Sequence, residues 1–424
     1  MTQQRVAAAV TVLLLARSVC AQEPLTLTAA QSEARAHAPE VAELDAQVRG
    51  AEAVAAQASR RLRQNPAVSG TYANGSLIGR PEETSWSVGA SLPIDISGSW
   101  KPRSASAVAD VTRSQFDRED GLRALDEQVA VAVADVALQQ RLVARTQRIV
   151  DLQKIASDAA HRQLDVGQGT QLEADSADLD AISARVTLEQ ARGALMGARA
   201  HLGRLLGRDG NGDLVVDDPI EPAASAPAPD ISTLTDRDPR VQAALAEVDA
   251  ARFEQATYER LANPMPTFGV DAGYSRRDIP AGSFSGIPFA GNLTALWPDR
   301  ELVFNVSVPL PFFDRQQEPR ARATGRLLTG EAKLRTVRAA VRSELESVWA
   351  TYDAAQRAAQ AVSTMPGVLD RDADFIEQAV RAGAFDALTR TQALRRLAET
   401  GQVVDTTIRE YRAARAAWIR RSLQ

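Results

Sequence analysis

Apolar residues alternate with small or polar residues in short segments of the chain. In residues 85–94, Trp86, Val88 and Leu92 are apolar, and the residues between them are mostly serine and glycine. Residues 266–275 and 302–310 alternate in the same way, and residues 66–75 do so more weakly. A period of two predicts strands with one apolar face. Each has about the length that a tilted strand needs to cross a bilayer.

The same alternation is also typical of a soluble antiparallel sheet that packs on one face. Four strands are too few to close a barrel, and an open strand edge is not stable in lipid because its backbone groups lack partners. Three copies of the chain supply twelve strands and leave no edge. The membrane interpretation therefore predicts a trimer.

Two very long helices follow the strand pairs. Residues 102–166 contain a single glycine, Gly121, and no proline after Pro102. Heptad-like spacings place valines on one stripe of this helix and leucines on another, and two stripes predict two neighbouring helices. The valines are Val129, Val133, Val136, Val143 and Val150. Residues 319–381 form the second long helix, which Pro366 is expected to kink or break.

Both long helices are predicted to reverse at a glycine, because glycine readily adopts the left-handed conformation that ends a helix. Return helices over residues 171–206 and 387–423 follow. The two turns comprise Val166, Gly167, Gln168, Gly169 and Thr170 in the first half, and Ala382, Gly383, Ala384, Phe385 and Asp386 in the second.

These elements occur twice. Residues 37–71 align with 237–271 at an offset of 200, and later segments align at 216, so that Gly167 corresponds to Gly383. The repeats cover residues 22–207 and 231–424, and a proline-containing linker, 208–230, joins them. The offset changes because the segment between strands is short in the first copy and long in the second (276–300). An outer mouth with two kinds of loop is expected.

Residues 1–21 are predicted to be a secretory signal peptide, with an apolar run before small residues. The sole cysteine, Cys20, is then either a lipid-attachment site or removed with the signal. The formal net charge of -5 gives no basic field for nucleic acid. No later segment has the ~20 apolar residues of a transmembrane helix.

The chain resembles the TolC-like outer-membrane factor family along the whole predicted mature sequence. The segment from Ser307 to Arg315 is similar to the strand-exit motif of the cobalt-zinc-cadmium (heavy-metal RND) efflux branch. Met365-Pro366 and the segment 381–383 are similar to that branch's last helical pair. The resemblance implies a mainly α-helical, duplicated protomer with a small β part. It also implies a homotrimer with a 12-stranded β-barrel in outer-membrane lipid and an α-helical barrel in the periplasm.

By the same resemblance, the protein is the passive exit channel of a tripartite system with a periplasmic adaptor and an inner-membrane RND pump. Heavy-metal cations are the implied substrates. Drugs, or the substrates of a type I secretion system, are alternatives within the same architecture. A soluble periplasmic coiled-coil scaffold or adaptor is the alternative from another class.

The resemblance further implies that the two glycine turns contact the adaptor. Carboxylates about six residues after the turn glycine narrow the entrance in this family, so Glu173 and then Asp175 are the gate candidates. The corresponding position of the second copy holds Thr389. The alternative for both acids is an interaction with the positive end of a helix dipole.

The sequence predicts neither catalysis nor a resident cofactor or metal. Residues 209–213 begin like a calcium loop, but Leu214 stands at the glycine position and Ile220 at the glutamate position. The three histidines share no ligand spacing. The chain has no nucleophile elbow, phosphate-binding loop or zinc-protease motif.

Overall fold

The structure is a computed structural model that describes residues 24–62, 64–75, 83–208, 214–217, 228–277, 297–310, 312–382 and 387–422. The first half contains α1 (Leu27–His37), α2 (Pro39–Ala58), β1 (Ala67–Gly75), β2 (Glu83–Pro93), α3 (Trp100–Asp165) and α4 (Gln171–Leu205). The second half contains α5 (Ile231–Arg237), α6 (Pro239–Leu261), β3 (Thr267–Arg277), β4 (Trp297–Ser307), α7 (Gln317–Val362), α8 (Met365–Arg381) and α9 (Ala387–Ser422). The chain is mainly helical with a small antiparallel sheet. Its two halves share one order of elements, except that two helices of the second half, α7 and α8, correspond to the single helix α3 of the first.

Several predicted features lie outside the described residues. They are the signal peptide with Cys20, residues 209–213, most of the linker 208–230, and most of the loops between the paired strands.

Local sequence signals start the matching helices of the two halves. Pro39 and Pro239, which correspond at the offset of 200, are the first residues of α2 and α6. Proline suits this position because its missing N–H would have no helical partner there. The Thr26 hydroxyl accepts a backbone N–H of α1 at 3.3 Å, and the Asp230 carboxylate accepts one of α5 at 3.0 Å. The proline starts therefore follow the duplication, whereas the two caps, Thr26 and Asp230, stand at positions that the offset of 200 does not match.

β4 differs most from its predicted range. The alternation predicts residues 302–310, whereas the strand runs from Trp297 to Ser307. Its length follows its partner, because β4 pairs with β3 along its whole length, from Thr267 opposite Ser307 onwards. Pro309 lies just beyond the strand and has no N–H for a ladder. The other strands and helices begin and end within a few residues of the predicted bounds.

The second long helix, predicted over residues 319–381 with a kink or break at Pro366, is broken into two helices. α7 ends at Val362 and α8 begins at Met365. Pro366 is thereby the second residue of a new helix, where its missing N–H removes no helical hydrogen bond. In the interior of one continuous helix it would remove such a bond and clash with the preceding turn.

The chain divides into two compact units. Of the described residues, those within Met1–Ala46, Phe116–Val241 and Arg338–Gln424 form unit 1, and those within Gln47–Gln115 and Gln242–Val337 form unit 2. In unit 1, Val129, Val133 and Val136 of α3 are at most 2% exposed and pack with α1 and α4. Further along α3, Leu152 packs with α8 and α9. The long helix therefore has different neighbours along its length.

An aromatic cluster joins α7 to α9 within unit 1. It contains Trp349 and Tyr352 of α7 with Tyr411 and Trp418 of α9. The ring centroids of Trp349 and Trp418 are 4.9 Å apart and the rings are tilted, a geometry that aromatic pairs favour.

Unit 2 contains the four-stranded sheet, whose order is β1-β2-β3-β4 with every neighbouring pair antiparallel. Its helices α6 and α7 carry the ion pairs Arg326–Glu254 at 2.7 Å and Lys333–Glu247 at 2.7 Å. Among the helices that the structure describes, none combines the length and apolar character required to cross a bilayer.

Candidate functional site: the strand faces and the helical turns

One face of the sheet is apolar from edge to edge. The register places Tyr72 opposite Trp86, and Trp86 opposite Tyr274, whose rings are stacked at 6.2 Å. The large side chains of this face are between 42% and 78% exposed: Val68, Tyr72, Trp86, Val88, Phe268, Val270, Leu302, Phe304 and Val306. A soluble sheet would bury such a face against another layer, but no described element covers it here. A contiguous exposed apolar surface of this kind is typical of contact with lipid or a partner.

The opposite face carries small and polar residues. Thr71 and Ser87 lie side by side, with their hydroxyl oxygens 2.6 Å apart. Among the described side chains of this face, Asp271 and Glu301 are charged. The Asn305 side-chain amide donates a hydrogen bond to the Asp271 carboxylate. Apart from Val303, which lies opposite Asp271 on the polar face, the alternation separates large apolar residues from small and polar ones across the sheet, as in strands that line an aqueous lumen.

Among the described residues, each of the two outer strands pairs on one side only and has a free edge. Every residue of β1 is exposed, and β4 pairs with β3 on one side only. An edge strand presents unpaired backbone N–H and C=O groups. These edges are where another chain can continue the sheet.

The first helical turn is well defined. Gly167 has a φ of +74°, the left-handed conformation expected at the end of α3. The backbone N–H groups of Gln168 and Gly169 both donate to the carbonyl oxygen of Gln163, at 2.8 and 3.0 Å. These bonds satisfy the free end of α3 and fix the predicted turn, Val166–Thr170, between α3 and α4.

Glu173 has a local role at the start of α4. Its carboxylate accepts the backbone N–H of Thr170 at 2.9 Å, and the Thr170 hydroxyl accepts the N–H of Glu173 at 3.3 Å. This is a reciprocal capping box. The hydrogen bond from the Thr170 backbone lowers the pKa of the Glu173 carboxyl. Asp175 accepts a hydrogen bond from Gln171 at 2.7 Å. The hydrogen bonds of Glu173 thus support the alternative interpretation of this acid as part of a helix start. A role of Glu173 and Asp175 in a gate stays a prediction.

The second turn lies mostly outside the described residues, which include Ala382 but not Gly383, Ala384, Phe385 or Asp386. The backbone N–H of Ala382 donates to the Gln378 carbonyl oxygen at 3.0 Å and continues the helical pattern of α8.

A polar cluster next to the first turn was not predicted. Asp178 of α4 accepts a hydrogen bond from the Ser157 hydroxyl at 2.5 Å, and His161 Nε2 lies 3.0 Å from its other oxygen. The hydrogen bond from Ser157, followed by the contact with His161, lowers the pKa of the Asp178 carboxyl. The spacing of four between Ser157 and His161 places both on one face of α3, but nothing in the sequence identifies their partner on α4.

The described side chains do not assemble a metal-binding group of three or more His, Cys, Asp or Glu residues. The cluster around Asp178 supplies one carboxylate and one imidazole. The described surfaces that stand out are therefore the two strand faces and the turn at Gly167.

Long paired helices joined to a sheet with one lipid-compatible face and free edges define the class of membrane-channel protomers. The chain belongs to the outer membrane efflux protein family, whose model matches residues 30–208 and 231–417. The protein is thus an outer-membrane exit channel for efflux, and its family consists of channels rather than enzymes.

Solved structures share the fold at low sequence identity. The transmembrane channel protein CusC is 17% identical, with 93% of this chain and 91% of that chain covered and a TM-score of 0.70. The open Neisseria gonorrhoeae MtrE outer membrane channel is 16% identical, with 93% and 88% covered and a TM-score of 0.71. The outer membrane protein VceC from Vibrio cholerae is 14% identical, with 93% and 95% covered and a TM-score of 0.67. No curated protein sequence matches the chain.

Proposed function

We propose that three copies of this chain close one ring of twelve strands in the outer membrane, and that their helices extend it as a duct into the periplasm. The free edges of β1 and β4, next to an exposed apolar face, carry this proposal. In lipid, each unpaired backbone group costs several kcal/mol. Pairing β1 of one copy with β4 of the next satisfies both edges in every copy, since three equivalent contacts close the ring.

Cysteine cross-linking tests this arrangement directly. The sole native cysteine is Cys20. Once it is replaced, any disulfide must form between the introduced cysteines. Ser69→Cys on β1 is combined in turn with Val303→Cys, Asn305→Cys or Ser307→Cys on β4. We expect one register to give covalent dimers and trimers on oxidation. The matched control is Thr71→Cys with Ser87→Cys, which are neighbours within one chain and form only an internal disulfide.

Fractionation separates this proposal from a soluble periplasmic scaffold or adaptor. The channel is recovered from outer membranes as trimers that dissociate on heating. A monomer that stays soluble in the periplasm, with no β1–β4 cross-link in any register, refutes the proposal.

Heavy-metal cations are the proposed substrate class. The support is the similarity of residues 307–315, 365–366 and 381–383 to the cobalt-zinc-cadmium efflux branch. The fold alone does not separate branches, because CusC and MtrE match with TM-scores of 0.70 and 0.71. Deletion of the gene is expected to raise sensitivity to cobalt, zinc or cadmium salts. Increased sensitivity to drugs alone, or loss of a secreted protein, identifies one of the alternative exit functions.

The turns at residues 166–170 and 382–386 are proposed to contact a periplasmic adaptor that joins the channel to an inner-membrane RND pump. Within this proposal Glu173 and Asp175 narrow the entrance. The double substitution Glu173→Gln and Asp175→Asn is expected to raise conductance in planar bilayers. Glu189→Gln, an exposed acid further along α4 that pairs with Arg192, is the matched control. Equal conductance of the wild type, the double variant and the control would refute the proposal that Glu173 and Asp175 narrow the entrance.

A further inference from the structure

Among the side chains that the structure describes, those on the polar face of the sheet carry negative charge and no balancing positive charge. Among its described side chains, the charged members are Asp271 on β3 and Glu301 on β4, and none is lysine or arginine. Arg300 belongs to the other face, opposite Tyr274. The described side chains of each chain therefore contribute two carboxylates to this surface.

The two carboxylates are neighbours across the sheet. Glu301 pairs with Gly273, two residues from Asp271 on β3. Such diagonal positions are about 7–8 Å apart. They form a compact acidic area rather than two separate surface charges.

The Asp271 side chain has a fixed place. It lies over Gly89 of β2, where a Cβ atom would be 2.8 Å from its Cγ and closer still to an oxygen. Asn305 in turn lies over Gly269, where a Cβ would be 2.9 Å from its Cγ, and donates to the Asp271 carboxylate. Both glycines are buried by these side chains. The sheet therefore holds the Asp271 carboxylate in one position.

We infer that Asp271 and Glu301 make the strand-lined part of the conduit selective for cations. The inference rests on the proposed trimer, in which the apolar face meets lipid and the polar face lines the lumen. Three copies then give a band that includes six carboxylates, two from the described side chains of each chain. Fixed charge of one sign concentrates counter-ions and excludes co-ions within about one Debye length of the wall. The band attracts metal cations without a dedicated binding site.

Reversal potentials in planar bilayers test the inference. The wild-type channel is measured with KCl at about 0.01 M on one side and about 0.1 M on the other, where the Debye length is about 30 and 10 Å. The double substitution Asp271→Asn and Glu301→Gln keeps side-chain shape and removes the charge. We expect it to lower the ratio of potassium to chloride permeability by about twofold or more. The effect should largely vanish near 1 M salt, where the Debye length is about 3 Å.

Two further variants sharpen the result. The entrance variant carries Glu173→Gln and Asp175→Asn, which lie far along the chain from the strands. Its ratio of potassium to chloride permeability should stay higher than that of the strand variant, the double substitution at Asp271 and Glu301. Ser87→Lys adds a positive charge in the same row as Gly273 and Glu301 and should lower the ratio in an otherwise unchanged chain. If the double variant does not insert into the bilayer, Ser87→Lys alone tests whether the charge of the strand-lined wall determines the permeability ratio.

The outcomes separate the inference from the function beneath it. A conducting strand variant with an unchanged reversal potential, or selectivity lost only in the entrance variant, overturns the inference and leaves the channel intact. Absence of conductance from the wild-type protein instead refutes the proposed channel.

Discussion

Replacement of Gly401 by alanine tests how α3 and α9 are joined in unit 1. Arg145 of α3 crosses α9 at this glycine, and a Cβ atom there would lie 2.5 Å from Arg145 Nε and Nη1. Beyond the glycine, Arg145 Nη1 reaches Asp405 Oδ2 at 2.7 Å. The Asp405 side chain is only 4% exposed. Alanine would therefore displace the arginine from a buried carboxylate.

Two effects of opposite sign compete. Alanine stabilises a helix interior by about 1 kcal/mol relative to glycine. Loss of one partner of a fully buried ion pair costs about 3–5 kcal/mol. The cost should be about 2 kcal/mol here, because Arg145 is 20% exposed and therefore partly screened by solvent. Arg141 also remains 3.9 Å from Asp405 as a second cation. In addition, Arg145 Nη1 and Asp405 Oδ2 lie at ion-pair distance without the alignment of a hydrogen bond. The expected balance is a loss of about 1 kcal/mol.

Hydrogen exchange of α9 amides measures this local change. A loss of about 1 kcal/mol corresponds to exchange about fivefold faster around residues 398–408. In an Asp405→Asn background the ion pair is absent, so Gly401→Ala should slow exchange through helix propensity alone. Gly193→Ala on α4 is the matched control, since a Cβ there meets no atom within 4 Å, and it should also slow exchange locally. Slower exchange in Gly401→Ala with Asp405 intact would refute the reasoning.

Three further predictions concern helix ends. Thr170→Ala removes the capping hydroxyl of α4 and should destabilise that helix start by about 1 kcal/mol, seen as faster exchange in the first turn, whereas Thr170→Ser should behave like the wild type. Gly207→Ala should lower the thermal midpoint, because Gly207 has a φ of +69° and an added Cβ would lie 2.9 Å from the His37 carbonyl carbon; an unchanged midpoint would contradict this strain. The paired hydrogen bonds from Arg208 to Glu33, at 2.5 and 2.7 Å, lower the pKa of Glu33. Their stabilisation is therefore present above the ordinary glutamate pKa of 4.5 and lost as pH falls through the lowered value. Melting curves should show that Arg208→Ala lowers the thermal midpoint at about neutral pH. The substitution should have no effect on the midpoint at a pH below the lowered pKa of Glu33.

The sequence predicts those features that depend on neighbouring residues. Alternation identifies the strands because side chains point to opposite faces in turn, and Gly167 marks its turn because few other residues adopt its backbone conformation. The start of β4 at Trp297 was not predictable, since the partner strand determines it. The contact of Asp271 with Asn305 likewise depends on a register between separate strands. For Glu173, the sequence predicted a helix-start alternative through the helix dipole, whereas the reciprocal capping with Thr170 came from the structure.

The two copies of the repeat distribute their acidic residues differently, and this difference gives the duplication a functional meaning. At the offset of 200 the first copy has Thr71 where the second has Asp271, and at 216 it has Ser85 where the second has Glu301. Among the described side chains, the strand-lined charge thus comes from the second copy of the repeat. The first copy instead supplies Gly89, which gives the Asp271 side chain its space. A chain with two first-copy hairpins would lose the carboxylates, and one with two second-copy hairpins would put Asn305 in place of Gly89 and close the space. The charge band therefore requires one hairpin of each kind in every protomer.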